Sequence, residues 1–495
     1  MPLSSPFTRT QGFAGAISGD FLELAQGEVM AKETARMRSR QRMSATNKTQ
    51  LAFAAICCGF LMVVVDAAIV NVAVPDIGRV LGDSISSLQW VINSYTLMLA
   101  SVLLTAGALG DRFGAKRIYL LGLALFTLTS LLCSLSTTLN LLIIARFIQG
   151  LGGAMLIPGS LSLIAHAYPE PKARARAVSI WATIASAGFA ASPVLGGLLV
   201  DTLGWRSIFW VNLPVGLFAL ALTWRFVVET PRNQRHSIDL VGQVLAIVAL
   251  FTLTFALIEG QHLGWETPLI LAAFLIFAVA ATLFALVESH SRHPMLPLAL
   301  FAVPAFSTAN VVGLFFNFCS YGQIFVFSLF LQNIRGDSAI TTGLAFLPLS
   351  VAGFLAPPLS GRLTARFGSR LPIALGLTLS GIGSLVLASV GMTTSYRIIA
   401  IGFMLFGFGT GMTMPAMTTT VLASAPSEQS GIASAILNSM RQVGGVLGVA
   451  VLGVLVSGPT FVKGLHLALF IVALTFFIGC TLTLIYIPNG KLRHR

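Results

Sequence analysis

Three ionisable side chains, Asp66, Arg146 and Arg441, fall far inside long apolar stretches of this 495-residue sequence. A charged side chain is costly in the interior of a bilayer, so each of the three is a candidate functional residue. At about 1.5 Å per helical residue, Asp66 lies roughly 22 Å from Leu51 at the start of its stretch, and Arg146 lies about 10 Å from Leu139. Because the two stretches cross a hydrocarbon core about 30 Å thick from opposite sides, the two side chains are expected at nearly the same depth.

Asp66 is the carboxylate best placed to exchange a proton, because the others near apolar stretches lie at their ends: Asp201, Asp239, Glu259 and Glu288. Burial favours the neutral form of a carboxyl group, and a neighbouring cation favours its charged form. We therefore predict that Asp66 binds and releases a proton and that Arg146 biases its proton affinity. The alternative is a static ion pair that only fixes two helices against each other.

Arg441, which has Asn438 and Gln442 as neighbours, admits two roles. As the one deep cation in the last third of the chain, it would attract an anionic substrate. Alternatively, its guanidinium caps carbonyl and amide oxygens between helices, and this structural interpretation is the one that the sequence favours.

Membrane-spanning helices must position these residues. Of the residues, 56% are hydrophobic and 9% are charged, whereas a soluble domain carries about 25% charged residues. A crossing needs about 20 apolar residues, and fourteen stretches of that kind run from 51–75 to 464–488. The sequence therefore predicts an all-α membrane protein with fourteen transmembrane helices.

The formal net charge of +13 would suggest nucleic acid in a soluble protein. Here the basic residues lie between apolar stretches, where they set orientation. Most of them fall on one side of the predicted topology, and the other side receives Arg79, Arg206, Arg335, Arg397 and Lys463. The pattern predicts a multi-pass protein of the inner membrane with both termini in the cytoplasm. Residues 1–48 are expected to form a disordered cytoplasmic tail, and residues 491–495 a short second tail.

An internal repeat relates the two ends of the chain. The segment GALGDRFGAKR from Gly107 is echoed by GRLTARFGSR from Gly361, and GLGGAMLIP from Gly150 is echoed by GFGTGMTMP from Gly407. Repeated halves around a midplane site are typical of secondary transporters.

The repeat predicts how the chain is divided. We expect an N-terminal six-helix half at 49–228 and a C-terminal six-helix half at 301–490, with two central linker helices at 229–300 between them.

Further motifs follow one another in a fixed order along the chain. They are VVVDAAIVNVAVP with Asp66, Asn71 and Pro75; RFIQGLGGAM with Arg146, Gln149, Gly150 and Gly152; SPVLGG with Pro193, Gly196 and Gly197; WRSIFWVNLPVG from Trp205; DLVGQVL from Asp239; and GIASAILNSMRQVGGVLG from Gly431. In this order they resemble the major facilitator superfamily, and within it the fourteen-span drug:proton antiporter family that includes the EmrB and QacA types. The resemblance covers residues 51–490.

The resemblance implies roles for two motifs. The loop motif of the superfamily is matched by Gly107, Asp111, Arg112, Gly114, Lys116 and Arg117. By resemblance, this motif implies a contact that holds the two halves in one state. The SPVLGG segment is similar to the antiporter motif and implies export against an ion. Ser192 stands where that motif usually has glycine, and Ala365 stands where the second copy of the loop motif can have an acid.

Polar and aromatic side chains on the first, second, fourth and ninth stretches are candidates for lining a substrate cavity. They are Asn71, Trp90, Asn93, Tyr95, Gln149, Asn317, Tyr321 and Gln323, and Arg441 is a further candidate. Each alone is more often a hydrogen bond between helices than a ligand contact. With 35 Phe and 14 Met in the chain, the lining is expected to be apolar and adaptable.

Nothing in the sequence predicts an enzyme or a bound cofactor. The glycine-rich stretches lack the GK[ST] ending of a phosphate-binding loop, so an ion gradient rather than ATP is the expected energy source. No metal site, catalytic nucleophile or nucleic-acid partner is expected. The expected partners are small-molecule substrates, protons and the lipid bilayer, and a periplasmic adaptor stays an open question.

The sequence thus predicts a proton-coupled exporter of drugs or amphipathic small molecules that works by alternating access. The alternatives are a metabolite or nutrient transporter of the same superfamily and a membrane sensor. One deep carboxylate disfavours a divalent cation as substrate. Lipophilic monovalent cations, neutral antibiotics and amphipathic anions all remain open.

Overall fold

The computed structural model describes residues 48–82, 84–232, 239–291, 296–426, 429–458 and 460–489. The predicted tails, 1–48 and 491–495, lie outside these residues except for Lys48. The described residues form fourteen helices that are long and apolar enough to span a membrane: α1 (Lys48–Leu81), α2 (Ile85–Phe113), α3 (Ala115–Leu135), α4 (Leu139–Ala167), α5 (Lys172–Leu203), α6 (Ser207–Phe226), α7 (Leu240–Leu263), α8 (Pro268–His290), α9 (Pro304–Ile334), α10 (Ala339–Phe367), α11 (Arg370–Ala388), α12 (Tyr396–Ala423), α13 (Ser430–Val456) and α14 (Phe461–Tyr486).

The prediction of an all-α membrane protein with fourteen helices is confirmed. Several helices extend beyond their apolar stretches, because a helix satisfies its own backbone hydrogen bonds on both sides of the hydrocarbon boundary. The first stretch was predicted at 51–75, whereas α1 continues to Leu81 through Asp76 and Arg79. The last turn of α9, Phe330–Ile334, is π-helical.

Short loops make successive helices antiparallel, so the loops gather at two faces. We call the face where α1 ends and α2 begins the α1–α2 face, and the opposite one the α2–α3 face. We call α1–α6 the N-terminal helices and α9–α14 the C-terminal helices.

Glycines allow close packing within each set of six helices. Among the N-terminal helices, α4 packs against α2 and α3, and a Cβ added at Gly150 would lie 2.4 Å from the carbonyl oxygen of Tyr95. Among the C-terminal helices, α12 packs against α10 and α11, and a Cβ added at Gly407 would lie 2.2 Å from the carbonyl oxygen of Leu349. The repeated motifs GLGGAMLIP and GFGTGMTMP therefore occupy equivalent helix contacts, where only glycine leaves room for the neighbouring backbone.

The two sets of helices meet along α2 with α13 and α5 with α10. The Gln89 side chain of α2 donates to the carbonyl oxygens of Val449 and Ala450 on α13, at 2.7 and 2.9 Å. The Ser328 hydroxyl of α9 donates to the carbonyl oxygen of Asn71 on α1 at 2.7 Å. These contacts lie in the half of the protein nearer the α1–α2 face.

A carboxylate joins α5 to α10 at the same face. Asp201, at the end of α5, accepts hydrogen bonds from the backbone N–H groups of Ala339 and Ile340 at 3.1 and 3.0 Å. Its negative charge faces the N-terminus of α10, where a helix dipole favours anions. One turn farther along α10, Gly343 lies against the Pro193 carbonyl.

Near the middle of the protein, Thr96 on α2 approaches Gly445 on α13. In the part of α5 nearer the α2–α3 face most side chains are exposed, whereas many in Ser192–Val200 are buried. Among the described residues, the two sets are therefore closed together at the α1–α2 face and open toward the α2–α3 face.

The central pair α7 and α8 lies to one side of this interface. α7 contacts both α2 and α13, and α8 packs on α7. The Gln243 side chain of α7 donates to the carbonyl oxygen of Ser101 at 2.8 Å, and the Ser86 hydroxyl of α2 donates to the carbonyl oxygen of Ile258 at 3.4 Å. Polar contacts at both ends of α7 therefore bind it to α2.

Replacing Gly343 with valine is expected to open the α1–α2 face. A Cβ at this position would lie 2.3 Å from the Pro193 carbonyl oxygen, a distance that forces α5 and α10 apart. Spin labels at the exposed Leu203 and Met392, on a background with the five native cysteines replaced by alanine, would report longer distances.

Gly431→Val is the matched control, because an added Cβ at Gly431 meets no atom within 4 Å. An unchanged distance distribution in Gly343→Val would contradict the assignment of this contact as part of the closure.

Candidate proton and substrate site

Asp66 on α1 and Arg146 on α4 form an ion pair in the interior of the N-terminal helices. Their side chains are 0% and 1% exposed. The structure thus brings together the two residues that the sequence places at one depth. Their role in proton transfer stays a prediction.

Asp66 also accepts hydrogen bonds from two amides. The Asn212 side chain of α6 donates to Asp66 Oδ1 at 3.0 Å, and the Gln149 side chain of α4 donates to the same atom at 3.3 Å. The Ser130 hydroxyl of α3 accepts from Asn212 Nδ2 at 2.9 Å and from Gln149 Nε2 at 3.3 Å. Four of the six N-terminal helices therefore contribute a polar group to one buried network.

Arg146 is held on every side. Its Nη1 donates to Gln149 Oε1 at 2.8 Å and its Nε to the Val91 carbonyl oxygen at 3.2 Å. Its guanidinium carbon lies 4.2 Å from the centroid of the Tyr95 ring and 5.7 Å from that of the Phe209 ring. A cation over aromatic faces is stabilised by the ring quadrupoles. Tyr95, predicted to line a cavity, is instead packed against Arg146.

The ion pair depends on the charge of Asp66. With Asp66 charged, it is paired with Arg146 and accepts hydrogen bonds from both amides. Protonation of Asp66 would leave the Arg146 charge without its partner in a buried place, which is unfavourable. The pair therefore joins α1 to α4.

Sequence reasoning missed Asn212, Ser130 and Phe209 as members of this network. Asn212 and Phe209 belong to the WRSIFWVNLPVG segment, which was treated as a motif of the resemblance only. The available signal was an amide in the middle of an apolar stretch, because such side chains in membranes bond to another helix. Ser130 carries no comparable signal, since serine is common in membrane helices.

Two of the predicted cavity residues face other helices. Trp90 donates through Nε1 to Glu259 on α7 at 2.8 Å. Gln323 accepts from the Ser384 hydroxyl of α11 at 3.0 Å. Both side chains thus serve contacts between helices, which is the commoner role for single polar residues in membranes.

The candidates Asn71 and Tyr321 lie at the interface between the two sets of helices. Asn71 and Tyr321 line a small cavity with Ala68, Phe189 and Ile324. Asn93 on α2 is fully buried, and neither polar atom of its amide has a hydrogen-bond partner among the described residues.

Arg441, Asn317 and Gln442 come together between α13 and α9. Asn317 Nδ2 lies 3.5 Å from Gln442 Oε1, and Arg441 Nη1 lies 3.5 Å from Asn438 Oδ1. Within the described part of the chain, Arg441 donates no hydrogen bond to a backbone carbonyl group, and its one acceptor is the side-chain amide of Asn438 on its own helix. The structural role that the sequence favoured for Arg441 stays a prediction.

The loop motif surrounds the single residue between α2 and α3. Gly114 has φ +104°, and a Cβ there would lie 2.6 Å from the Glu229 carboxylate. That carboxylate accepts from the Lys116 backbone N–H at 2.9 Å and lies 3.8 Å from Arg117 Nε. The contact with Glu229 caps the start of α3 with an acid from the end of the N-terminal helices.

The remaining loop-motif residues have separate surroundings. The Arg112 guanidinium lies 5.5 Å from the ring centroid of Phe113, and both side chains are exposed. Gly107 faces Pro158 on α4. Asp111 is exposed at the end of α2.

The antiporter motif packs α5 against two partners. A Cβ at Gly196 would lie 2.8 Å from the Ile69 side chain of α1, and one at Gly197 would lie 2.4 Å from the Ala339 carbonyl oxygen of α10. Pro193 contacts α10 as described above. Ser192 donates to the Gly188 carbonyl oxygen of its own helix at 2.6 Å, which explains how serine replaces the usual glycine.

No group of three or more His, Cys, Asp or Glu side chains suited to hold a metal ion occurs among the residues that the structure describes. The acidic and amide groups around Asp66 are bonded to one another instead.

A sequence model described as the Major Facilitator Superfamily matches residues 56–449. The chain belongs to the Major Facilitator Superfamily. The resemblance seen in the motifs is thereby confirmed. A D-xylose-proton symporter of known structure has a TM-score of 0.65 and 15% identity, over 90% of this chain and 99% of that one, which supports the fold of the superfamily.

Several superfamily members that are similar in sequence carry names of resistance and efflux. A "Methylenomycin A resistance protein" of Streptomyces coelicolor is 36% identical, over 86% of this chain and 90% of that protein. A "Multidrug resistance protein Stp" of Mycobacterium tuberculosis is 41% identical, over 82% and 76%. A "Drug efflux pump JefA" of the same species is 35% identical, over 83% and 81%.

Arg146→Gln is expected to lower the free energy of unfolding by about 3–5 kcal/mol, because it leaves Asp66 buried without its cation. Adding Asp66→Asn should recover a large part of that loss, since no buried charge is then left unpaired. Unfolding of the two single variants and the double variant in detergent micelles measures the coupling. Losses that simply add in the double variant would contradict a direct ion pair.

Glu229→Ala is expected to destabilise the start of α3 by about 1 kcal/mol, because it removes the acceptor for the Lys116 N–H and a negative charge at the helix N-terminus. Faster hydrogen exchange of the backbone amides at 115–118 would show the loss. Glu266→Ala, at an exposed acid between α7 and α8, is the control. Equal exchange in both variants would argue against the cap.

Proposed function

We propose that this protein exports drugs or other amphipathic small molecules across the cytoplasmic membrane in exchange for protons. The observation that carries the proposal is the buried pair of Asp66 and Arg146, in which one carboxylate far inside the membrane-spanning helices is paired with a cation. The names of the relatives support export, and so does the SPVLGG segment at the contacts of α5 with α1 and α10.

The two sets of six helices are proposed to be the moving halves. Their expected bounds are 49–228 and 301–490, with 229–300 as the linker that contains α7 and α8. Rocking of two repeated halves around a central site is the general mechanism of such transporters. The contact of Asp201 with α10 and the contact of Gln89 with α13 would both have to break when the α1–α2 face opens.

The distribution of Lys and Arg supports the α1–α2 face as the outer one and both termini as cytoplasmic. On that orientation the structure is closed to the outside and open to the cytoplasm. Asp66 in this state is paired with Arg146. The proposed cycle therefore loads substrate from the cytoplasm while Asp66 has no proton.

In the proposed exchange, one proton enters the cytoplasm for each export step. After the protein opens to the outside and releases its substrate, Asp66 takes a proton from the outer solution and becomes a neutral carboxyl group. The return to the inward-open state brings Arg146 back against it, and the proton leaves to the cytoplasm. Arg146 favours that release because it favours the carboxylate form of Asp66.

Asp66→Asn is expected to abolish proton-driven export, because an amide cannot exchange a proton in this way. A susceptibility panel first identifies compounds that inhibit a deletion strain and that the strain tolerates again when it expresses the wild-type protein. Uptake of those compounds into energised everted vesicles is then expected to fall at least about 10-fold in Asp66→Asn.

Glu266→Gln, which removes an exposed carboxylate between α7 and α8, is the matched control and should keep wild-type uptake. Proton-driven uptake retained by Asp66→Asn at normal expression would refute the assignment of Asp66.

A further inference from the structure

The C-terminal helices contain a deep cation and no acid. The helices α9 to α14 carry no Asp or Glu at any position, as the sequence of their ranges shows. Arg441 lies near the middle of α13 and is half-buried. A cation at that depth needs a counter-charge, an acceptor or water to offset its desolvation.

The protein itself supplies little to offset the charge of Arg441. The distance of 3.5 Å from Nη1 to Asn438 Oδ1 is long for a hydrogen bond. Arg441 Nε is buried without a hydrogen-bond partner in the described part of the chain. Arg146 in the N-terminal helices is the contrast, because it has a carboxylate, an amide and a carbonyl oxygen as partners.

The surroundings of Arg441 are suited to an acidic group on an aromatic or apolar body. Its stem packs on α9 at Gly313, where an added Cβ would lie 3.3 Å from Arg441 Cγ. The guanidinium carbon lies 5.6 Å from the centroid of the Phe316 ring. Tyr321, five residues farther along α9, borders the same stretch of α13, because a Cβ added at Gly445 would lie 3.5 Å from Tyr321 Cγ.

A second polar group at this place also lacks a partner. Asn317 is 2% exposed, and its Oδ1 has no hydrogen-bond partner among the described residues. Its Nδ2 faces Gln442 at 3.5 Å, next to Arg441 on α13. The guanidinium, the Asn317 amide and the Gln442 amide therefore form a cluster of polar groups whose bonds are long or unmade.

This cluster lies on the α2–α3 side of the contacts between α2 and α13. Thr96 on α2 approaches Gly445 on α13, and Arg441 lies one turn from Gly445 toward the α2–α3 face. A molecule that enters from that face meets Arg441 before it reaches the closure.

The other deep charges do not offer a place to a cation. The Asp66 carboxylate is fully buried and already bonded to Arg146, Asn212 and Gln149. A cationic substrate would have to displace Arg146 to reach it. After Asp66 and Arg146 neutralise each other, the one deep charge that remains in the described helices is positive.

We propose that Arg441 binds the acidic group of the substrate, which is an amphipathic anion such as an aromatic carboxylate. Asn317 and Gln442 complete the polar end of this site, and Phe316 and Tyr321 border its apolar end. The inference rests on the proposed export function and names the class of substrate for it.

The test compares three probes that share a ring and differ in charge: 2-naphthoate, the neutral 2-naphthamide and the cationic 2-naphthylmethylammonium. Equilibrium binding is measured to the full-length protein in nanodiscs without a proton gradient. The wild type is expected to prefer naphthoate over naphthamide by about 10-fold or more, because the carboxylate forms a charge-assisted hydrogen bond with the guanidinium.

Arg441→Gln should lower naphthoate affinity by about 10-fold and change naphthamide affinity by less than about twofold, whereas Arg441→Lys should keep part of the preference. Arg397→Gln removes an exposed cation from the start of α12 and serves as the control with wild-type preference. Equal thermal midpoints establish that Arg441→Gln is folded.

Three results would overturn the inference: no naphthoate binding by the wild type, no preference for naphthoate over the other two probes, or an equal loss for all probes in Arg441→Gln. Binding without a gradient does not depend on Asp66 as a proton carrier, so Asp66→Asn should keep the naphthoate preference. A failure of proton-driven export therefore appears in the vesicle assay, and a failure of the anion site appears in the binding assay.

Discussion

The structure depends on one ion pair that the membrane makes expensive to break. Asp66 and Arg146 are buried together among α1, α3, α4 and α6, and amides from Asn212 and Gln149 complete their hydrogen bonds. In low dielectric, loss of one partner leaves the other as an uncompensated charge, at a cost of about 3–5 kcal/mol. Any change in the charge of Asp66 must therefore alter how α1 packs against α4.

The same helix that carries Asp66 also takes part in closing the protein. The Asn71 carbonyl of α1 accepts a hydrogen bond from Ser328 of α9, and Gly196 of α5 packs against α1. Asn71 lies about one and a half helical turns from Asp66. The helix α1 therefore joins the proposed proton site to the contacts that hold the α1–α2 face closed. Arg441, on the other half, lies just beyond the end of that closure.

Much of the fold was predictable from the sequence. The length of each apolar stretch depends on the thickness of the bilayer, and the repeats of GALGDRFGAKR and GLGGAMLIP depend on helix packing. The meeting of Asp66 with Arg146 was predictable too, since depth follows from residue count. Asn212, Ser130 and Phe209 were missed because their contribution depends on helix rotation, which hydropathy leaves undefined when a helix is apolar all round. The same lack of rotational information hides the hydrogen bonds of Trp90 to α7 and of Gln323 to α11. The role of Arg441 stays a prediction, because the sequence does not show which groups lie within reach of its guanidinium.

The most direct measurement is an infrared difference titration of the purified protein, which follows carboxyl groups as they gain and lose protons. The account predicts one protonated-carboxyl signal that is present in the wild type and in Glu266→Gln and missing in Asp66→Asn. It also predicts that Arg146→Gln changes the pH range over which that signal appears. Superimposable spectra of the wild type and Asp66→Asn across the working pH range would contradict the claim that Asp66 carries the proton.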